Sequence, residues 1–172
     1  MVKIFGGIIT LLTCSFIGLM ISYKYALRPM QIKCFRFALQ MLETEIYYSL
    51  TPLPEALFRV GKRFENEIGQ FFLQVSQLIT GKDILTADEA WKQSLNWLKE
   101  NSFLSESDID ILEKFGYNLG CSDREEQIKH LKLVQQQLLH QEDNAEKERE
   151  KNERTWRLMG FWGGLLIVII LC

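Results

Sequence analysis

The stretch Met30-Gln31-Ile32-Lys33-Cys34-Phe35-Arg36-Phe37-Ala38-Leu39-Gln40-Met41-Leu42-Glu43-Thr44-Glu45-Ile46-Tyr47-Tyr48 decides the fold. Its apolar positions Ile32, Phe35, Leu39, Leu42 and Ile46 recur every three or four residues. That spacing lays one apolar stripe along an α-helix and does not fit a strand, whose side chains alternate every second residue. Pro29 stands where such a helix can begin, because the first turn has no use for its missing N–H. Thr51-Pro52-Leu53-Pro54 ends it, since a residue before proline is pushed out of the helical region.

The same period continues towards the C-terminus. A short helix is expected from Pro54 to about Phe64, with Ala56, Leu57 and Val60 inward, and another over 66–80 carrying Ile68, Phe71, Phe72, Val75, Leu78 and Ile79. Gly81-Lys82-Asp83 breaks it. Thr86-Ala87-Asp88-Glu89 has the form of a capping box and opens a helix with Trp91, Leu95 and Leu98 on one face. Ser105-Glu106-Ser107-Asp108 opens the next, which holds Ile109, Leu112 and Phe115 and contains Gly116, with Gly120 as its stop. Ser122-Asp123-Arg124-Glu125 reads as a second capping box, and from about residue 123 nothing interrupts the helix pattern until Gly160. The first half of this last helix has Ile128, Leu131, Val134 and Leu138; the half from His140 to Arg157 is nearly all polar. Its interspersed charges, with Glu146 and Glu150 beside Lys147 and Lys151, predict a solvated stalk or a helix laced by i, i+4 ion pairs. Phe64, Phe71, Phe72, Trp91, Trp97, Phe103 and Phe115 are expected in the core.

Two apolar runs flank this material. Residues 4–23 hold no charged side chain and make about 30 Å of helix, enough to cross a hydrocarbon layer. Residues 158–172 are also free of charge but shorter, about 23 Å, with Trp156, Phe161 and Trp162 as interfacial aromatics. Between them lie about 130 residues, room for one domain with its own core. The first run is open to three readings: a cleaved signal peptide, a lipoprotein signal at Leu11-Leu12-Thr13-Cys14, or a retained anchor. No small-x-small cleavage site follows it, and Thr13 is branched where the lipoprotein site needs a small residue. Lys24, Arg28, Lys33 and Arg36 follow the first run, and Lys147, Arg149, Lys151, Arg154 and Arg157 precede the second. Basic residues stay on the cytoplasmic side, so the expectation is two spans with both termini outside and a cytoplasmic middle.

The whole chain has 172 residues, 20 Lys and Arg against 22 Asp and Glu, and a pI of about 5.8. That balance gives no electrostatic case for nucleic-acid binding. Cys14, Cys34, Cys121 and Cys172 form no C-x-x-C pair, so neither a disulfide framework nor a zinc site is indicated. His130 and His140 lack an H-E-x-x-H context, and there is no phosphate-binding glycine loop and no nucleophile elbow. Glu43 and Glu45 are two apart and point to different sides of a helix, which disfavours a shared acid/base pair. No catalytic, metal or cofactor site is therefore expected. Glu43, Glu45, Tyr47, Tyr48, Asp123, Arg124, Gln127 and His130 are the residues least easily given to core, and are either capping and surface groups or a docking face for a partner.

Three runs carry a family resemblance: Arg28-Pro29; Thr44-Glu45-Ile46-Tyr47-Tyr48 followed by Thr51-Pro52-Leu53-Pro54-Glu55-Ala56-Leu57; and Leu119-Gly120-Cys121-Ser122-Asp123-Arg124-Glu125-Glu126-Gln127-Ile128-Lys129-His130. With Glu150-Lys151-Asn152-Glu153 and the Gly-rich last run, they make nearly the whole chain similar to the stage III sporulation protein AB family of endospore-forming bacteria. Met159 stands before Gly160 where that family leads one to expect Leu. The resemblance implies a part in the secretion-like channel complex linking mother cell and forespore. It also implies similarity to inner-membrane platform proteins of type II secretion and type IV pilus machines, whose cytoplasmic parts are helical bundles. The expected fold is all-α: a six-helix cytoplasmic bundle over 24–157, flanked by transmembrane helices at 4–23 and 158–172. The expected function is a non-enzymatic platform in the mother-cell-derived membrane around the forespore, required for sporulation. It would dock the cytoplasmic ATPase, stage III sporulation protein AA, and self-associate. The alternative reading is an anchored or lipidated extracytoplasmic helical binding module.

Overall fold

The computed structural model describes the backbone of residues 2–81, 85–119 and 124–171, and the side chains of 25–81, 85–119 and 125–152 together with Thr13, Phe16 and Tyr23. Among these residues there are six helices and no strand: α1 (Val2–Tyr47), α2 (Leu53–Gly61), α3 (Glu67–Thr80), α4 (Ala87–Asn101), α5 (Glu106–Gly116) and α6 (Arg124–Leu171). The chain divides into two compact units, one of Met1–Pro29 with Asp143–Cys172, the other of Met30–Glu142.

In the Met30–Glu142 unit the helix starts follow the local signals. Asn66 caps α3 by accepting the Gly69 N–H at 3.2 Å. At α4 the Thr86 N–H donates to the Glu89 carboxylate at 3.1 Å, and the hydrogen bond from Thr86 holds the Asp88 carboxyl below its usual range. Ser105 and Asp108 form a reciprocal box at α5: the Asp108 N–H donates to the Ser105 hydroxyl (3.3 Å) and the Ser105 N–H to the Asp108 carboxylate (2.8 Å). The box expected at 122–125 lies outside the described residues.

Helices α2 to α5 pack each on the next, and α1 meets α2, α3, α4 and α6 through side chains. Phe35 of α1 meets Phe71 and Phe72 of α3 and Trp91 of α4, with ring centroids 5.3–6.3 Å apart. Trp91 is fully buried, donates its indole N–H to the Leu112 carbonyl at 2.8 Å and stacks edge-on against Phe115. Gln31 of α1 accepts the Phe103 N–H at 2.7 Å, which ties down the link between α4 and α5. Antiparallel to α1 runs α6, in a register fixed by Glu43 with Gln135 (2.9 Å) and Arg36 with Glu142 (3.0 Å). The expected inward residues of α1, α2, α4 and α5, and Leu131, Val134 and Leu138 of α6, are all buried.

Glycines set the closest approaches. A Cβ at Gly69 would lie 2.0 Å from the Phe64 carbonyl oxygen, and one at Gly61 would lie 2.7 Å from Leu73 Cγ, so α2 and α3 meet nearly backbone to backbone. At Gly116 a Cβ would come within 2.3 Å of the Trp91 ring.

Several expectations are corrected. Pro29 does not start a helix but lies inside α1; the cost is one missing hydrogen bond, and its ring is buried. Gly116 is the last residue of α5 rather than an interior one, and a Cβ there would meet the Trp91 ring. Phe103 is exposed and Phe64 and Trp97 are half-buried, so these three do not fill the core. The polar half of α6 is not simply solvated. In the Met30–Glu142 unit Glu142 pairs with Arg36; in the other unit Ala145 is buried and Glu148 binds Arg28 at 2.7 Å. Residues 4–23 and 158–171 fall within α1 and α6, but their side chains, apart from Thr13, Phe16 and Tyr23, lie outside the described residues. Among the described residues no helix is long and apolar enough to cross a membrane.

Candidate functional site

Successive residues on a helix are turned by about 100°, so Glu43 and Glu45 look in nearly opposite directions. Glu43 faces α6, where its carboxylate accepts from Gln135 Nε2 at 2.9 Å with Lys132 Nζ 4.0 Å away. Glu45 faces α2. Its carboxylate accepts from the Thr51 hydroxyl and from Arg59, both at 3.2 Å, with Arg63 at 3.8 Å. Both carboxylates are thus engaged in holding elements together, and no proton-transfer pair is formed.

Beyond Glu45 the chain turns sharply. The Tyr48 N–H still donates to the Thr44 carbonyl (3.0 Å), and the Thr51 N–H returns to the Glu45 carbonyl (3.2 Å). This return needs Leu50 at φ +53°, a left-handed conformation that costs a residue with a Cβ about 1–2 kcal/mol. The turn leaves Tyr47, Tyr48 and Leu50 52%, 76% and 59% exposed. The two tyrosine rings meet edge-on with centroids 4.7 Å apart.

Gln127 and His130 are half-buried near the start of α6. In the antiparallel register set by Glu43 and Gln135, four residues onward on α1 and four back on α6 each advance about 6 Å. Tyr47 and Tyr48 therefore stand level with the turn of α6 that contains His130. Asp123 and the side chain of Arg124 lie outside the described residues. The candidates divide into two carboxylates with internal partners and a tyrosine pair open to solvent, at the end of the unit where α6 begins. Among the described residues no group of three His, Cys, Asp or Glu is placed to hold a metal ion.

Leu50, Thr51, Arg59, Arg63, Lys132 and Gln135 complete this corner and were not marked by the sequence pattern. Only Arg59 carried a local signal, its i, i+4 spacing to Glu55, which it binds at 2.7 Å. Glu55, and then Glu45, favour the charged form of its guanidinium.

Among the described residues the arrangement presents an exposed tyrosine pair beside carboxylates with internal partners. The family model for stage III sporulation protein AB matches residues 3–172. The chain belongs to that family. It is 36% identical to the stage III sporulation protein AB of Bacillus subtilis (strain 168), over 99% of each chain. A solved structure of a stage III sporulation protein AB matches with a TM-score of 0.66 and 38% identity, covering 73% of this chain and 98% of that one. A role in sporulation follows from membership of the stage III sporulation protein AB family, and neither the family nor these relatives carries the name of an enzyme.

Proposed function

We propose that the chain is a non-enzymatic platform, anchored in the mother-cell-derived membrane around the forespore through residues 4–23 and 158–172. Its Met30–Glu142 unit lies in the cytoplasm and docks the ATPase of the sporulation channel, stage III sporulation protein AA. The observation that carries this reading is the division of the chain: both apolar runs belong to one unit, and the helical core with its exposed corner belongs to the other. Exposed Phe16 and Tyr23 suit a helix that meets lipid. The basic residues beside each run support the cytoplasmic placement of the middle. Copies of the chain associate in the assembled platform.

The test is co-purification of the ATPase with the full-length, tagged chain from membranes of sporulating cells. The expected result is a membrane-bound chain that brings the ATPase with it, and cross-linked multimers of the chain itself. A chain in the soluble fraction, or membranes from which no ATPase is recovered after cross-linking, would refute the reading. Orientation is checked separately by labelling Cys172 with an impermeant thiol reagent in vegetative cells expressing the chain. Protection of Cys172 together with external proteolysis of the middle segment would reverse the topology.

A further inference from the structure

We infer that the corner made by Tyr47, Tyr48 and Leu50 is a preformed apolar anchor, and that its occupant is a pocket edged by carboxylates on the docked protein. The inference rests on the ATPase-docking reading and names the surface and chemistry through which docking occurs.

Three observations combine. First, three apolar side chains within four residues stand in solvent, two of them tyrosines, a type enriched among residues that dominate binding. Second, the turn that presents them is strained at Leu50 and yet closely held. Glu45 fixes it from both its carbonyl, which takes the Thr51 N–H, and its carboxylate, which takes the Thr51 hydroxyl and Arg59. Strain persists only where the surroundings over-determine it, and a side chain held before binding loses little freedom on binding. Third, the charges tied to this corner are unequally exposed. The side chains of Arg63, Lys132 and Arg59 are 57%, 66% and 48% exposed, whereas those of Glu45 and Glu43 are 14% and 21% exposed. Glu55, paired with Arg59, is the one well-exposed carboxylate of this set. Among these paired groups solvent thus meets mainly cations, with Glu65, Glu125 and Glu126 as the further exposed carboxylates nearby in the chain, and the paired cations select a partner of opposite sign. A fluid lipid surface gains nothing from a fixed geometry, whereas a shaped protein pocket does.

The test measures binding of the full chain in detergent to the purified ATPase, at low and high salt. Wild type is compared with Tyr48→Ala, Leu50→Gly, Lys132→Glu and, as a control on the exposed side of α4, Gln93→Ala. Tyr48→Ala and Leu50→Gly are expected to weaken binding at least about tenfold, and Lys132→Glu about threefold with a smaller salt dependence. Gln93→Ala should bind as wild type does. Tyr48 is too exposed for its loss to unfold the chain, and glycine adopts the Leu50 conformation without strain, so both variants remain folded. If wild type binds and both variants bind within about twofold of it, docking stands and the anchor is wrong. If wild type does not bind at all, the docking reading fails and the anchor falls with it.

Discussion

Replacing Gly116 by Ala sets two physical effects against each other. On helix propensity alone, alanine is favoured over glycine by up to about 1 kcal/mol, less at the last residue of a helix, so the substitution should stabilise slightly. The structure gives the opposite sign. The new methyl would sit 2.3 Å from Trp91 Cδ1 and 3.0 Å from Cγ. The ring has no room to withdraw: Phe35, Phe71, Phe72 and Phe115 surround it with centroids 4.7–6.3 Å away, and its N–H is bound to Leu112 at 2.8 Å. Overpacking of this kind costs about 1–3 kcal/mol, and loosening the indole hydrogen bond costs about 1 more. The expected net effect is a loss of about 2 kcal/mol, or roughly 8 °C in Tm. Thermal unfolding of the full chain in detergent, followed by circular dichroism and tryptophan fluorescence, measures it. An unchanged or raised Tm would show that Trp91 can shift, and that α5 does not rest on it as described.

Other outcomes follow from the same contacts. Gly69→Ala, whose methyl would meet the Phe64 and Gly61 carbonyl oxygens rather than a flexible side chain, should cost about 3 kcal/mol, read as a lowered urea midpoint. Arg36→Glu and Glu142→Arg should each destabilise, and the double exchange should recover about 1 kcal/mol; no recovery in the double-mutant cycle means the α1–α6 register is wrong. Burial, with a smaller contribution from Glu67, raises the Cys34 thiol above its ordinary value of 9.0, outweighing the Asn66 hydrogen bond. The folded state therefore favours the protonated thiol, a stabilisation present below the unfolded value and lost as pH rises through the higher folded one. Peptide-resolved alkylation should be slow at Cys34 at about pH 8 and accelerate only above its ordinary range; a rate at that pH equal to the unfolded chain's would contradict it.

Most of the helical framework could be read from the chain because its signals are local. The spacing of Ile32, Phe35, Leu39, Leu42 and Ile46 needs no knowledge of what lies opposite, and Thr86 and Ser105 announce the helices they cap. What escaped depends on distant partners. Glu142 looks like one more charge on a polar helix until Arg36 is placed beside it. Gly61, Gly69 and Gly116 resemble weak points or stops, yet each occupies a spot that its neighbours leave too small for a methyl group. The candidate site was half legible. The tyrosines stand exposed, but Glu43 and Glu45 are bound to α6 and α2. Leu50 gave no sign, because left-handed backbone is normally marked by glycine or asparagine.

The pairing of α1 with α6 has a consequence for synthesis. Helices α2, α3 and α4 contact their immediate successors, so each can be satisfied soon after it leaves the ribosome. Glu43 must wait for Gln135, 92 residues later, and Arg36 for Glu142, 106 residues later. At 5–20 residues per second, the α6-facing side of α1 stays uncovered for about 5–20 s while the rest is made. During that interval the nascent chain shows an oily flank that the finished protein hides, and chaperone capture or premature pairing between neighbouring nascent chains would act there.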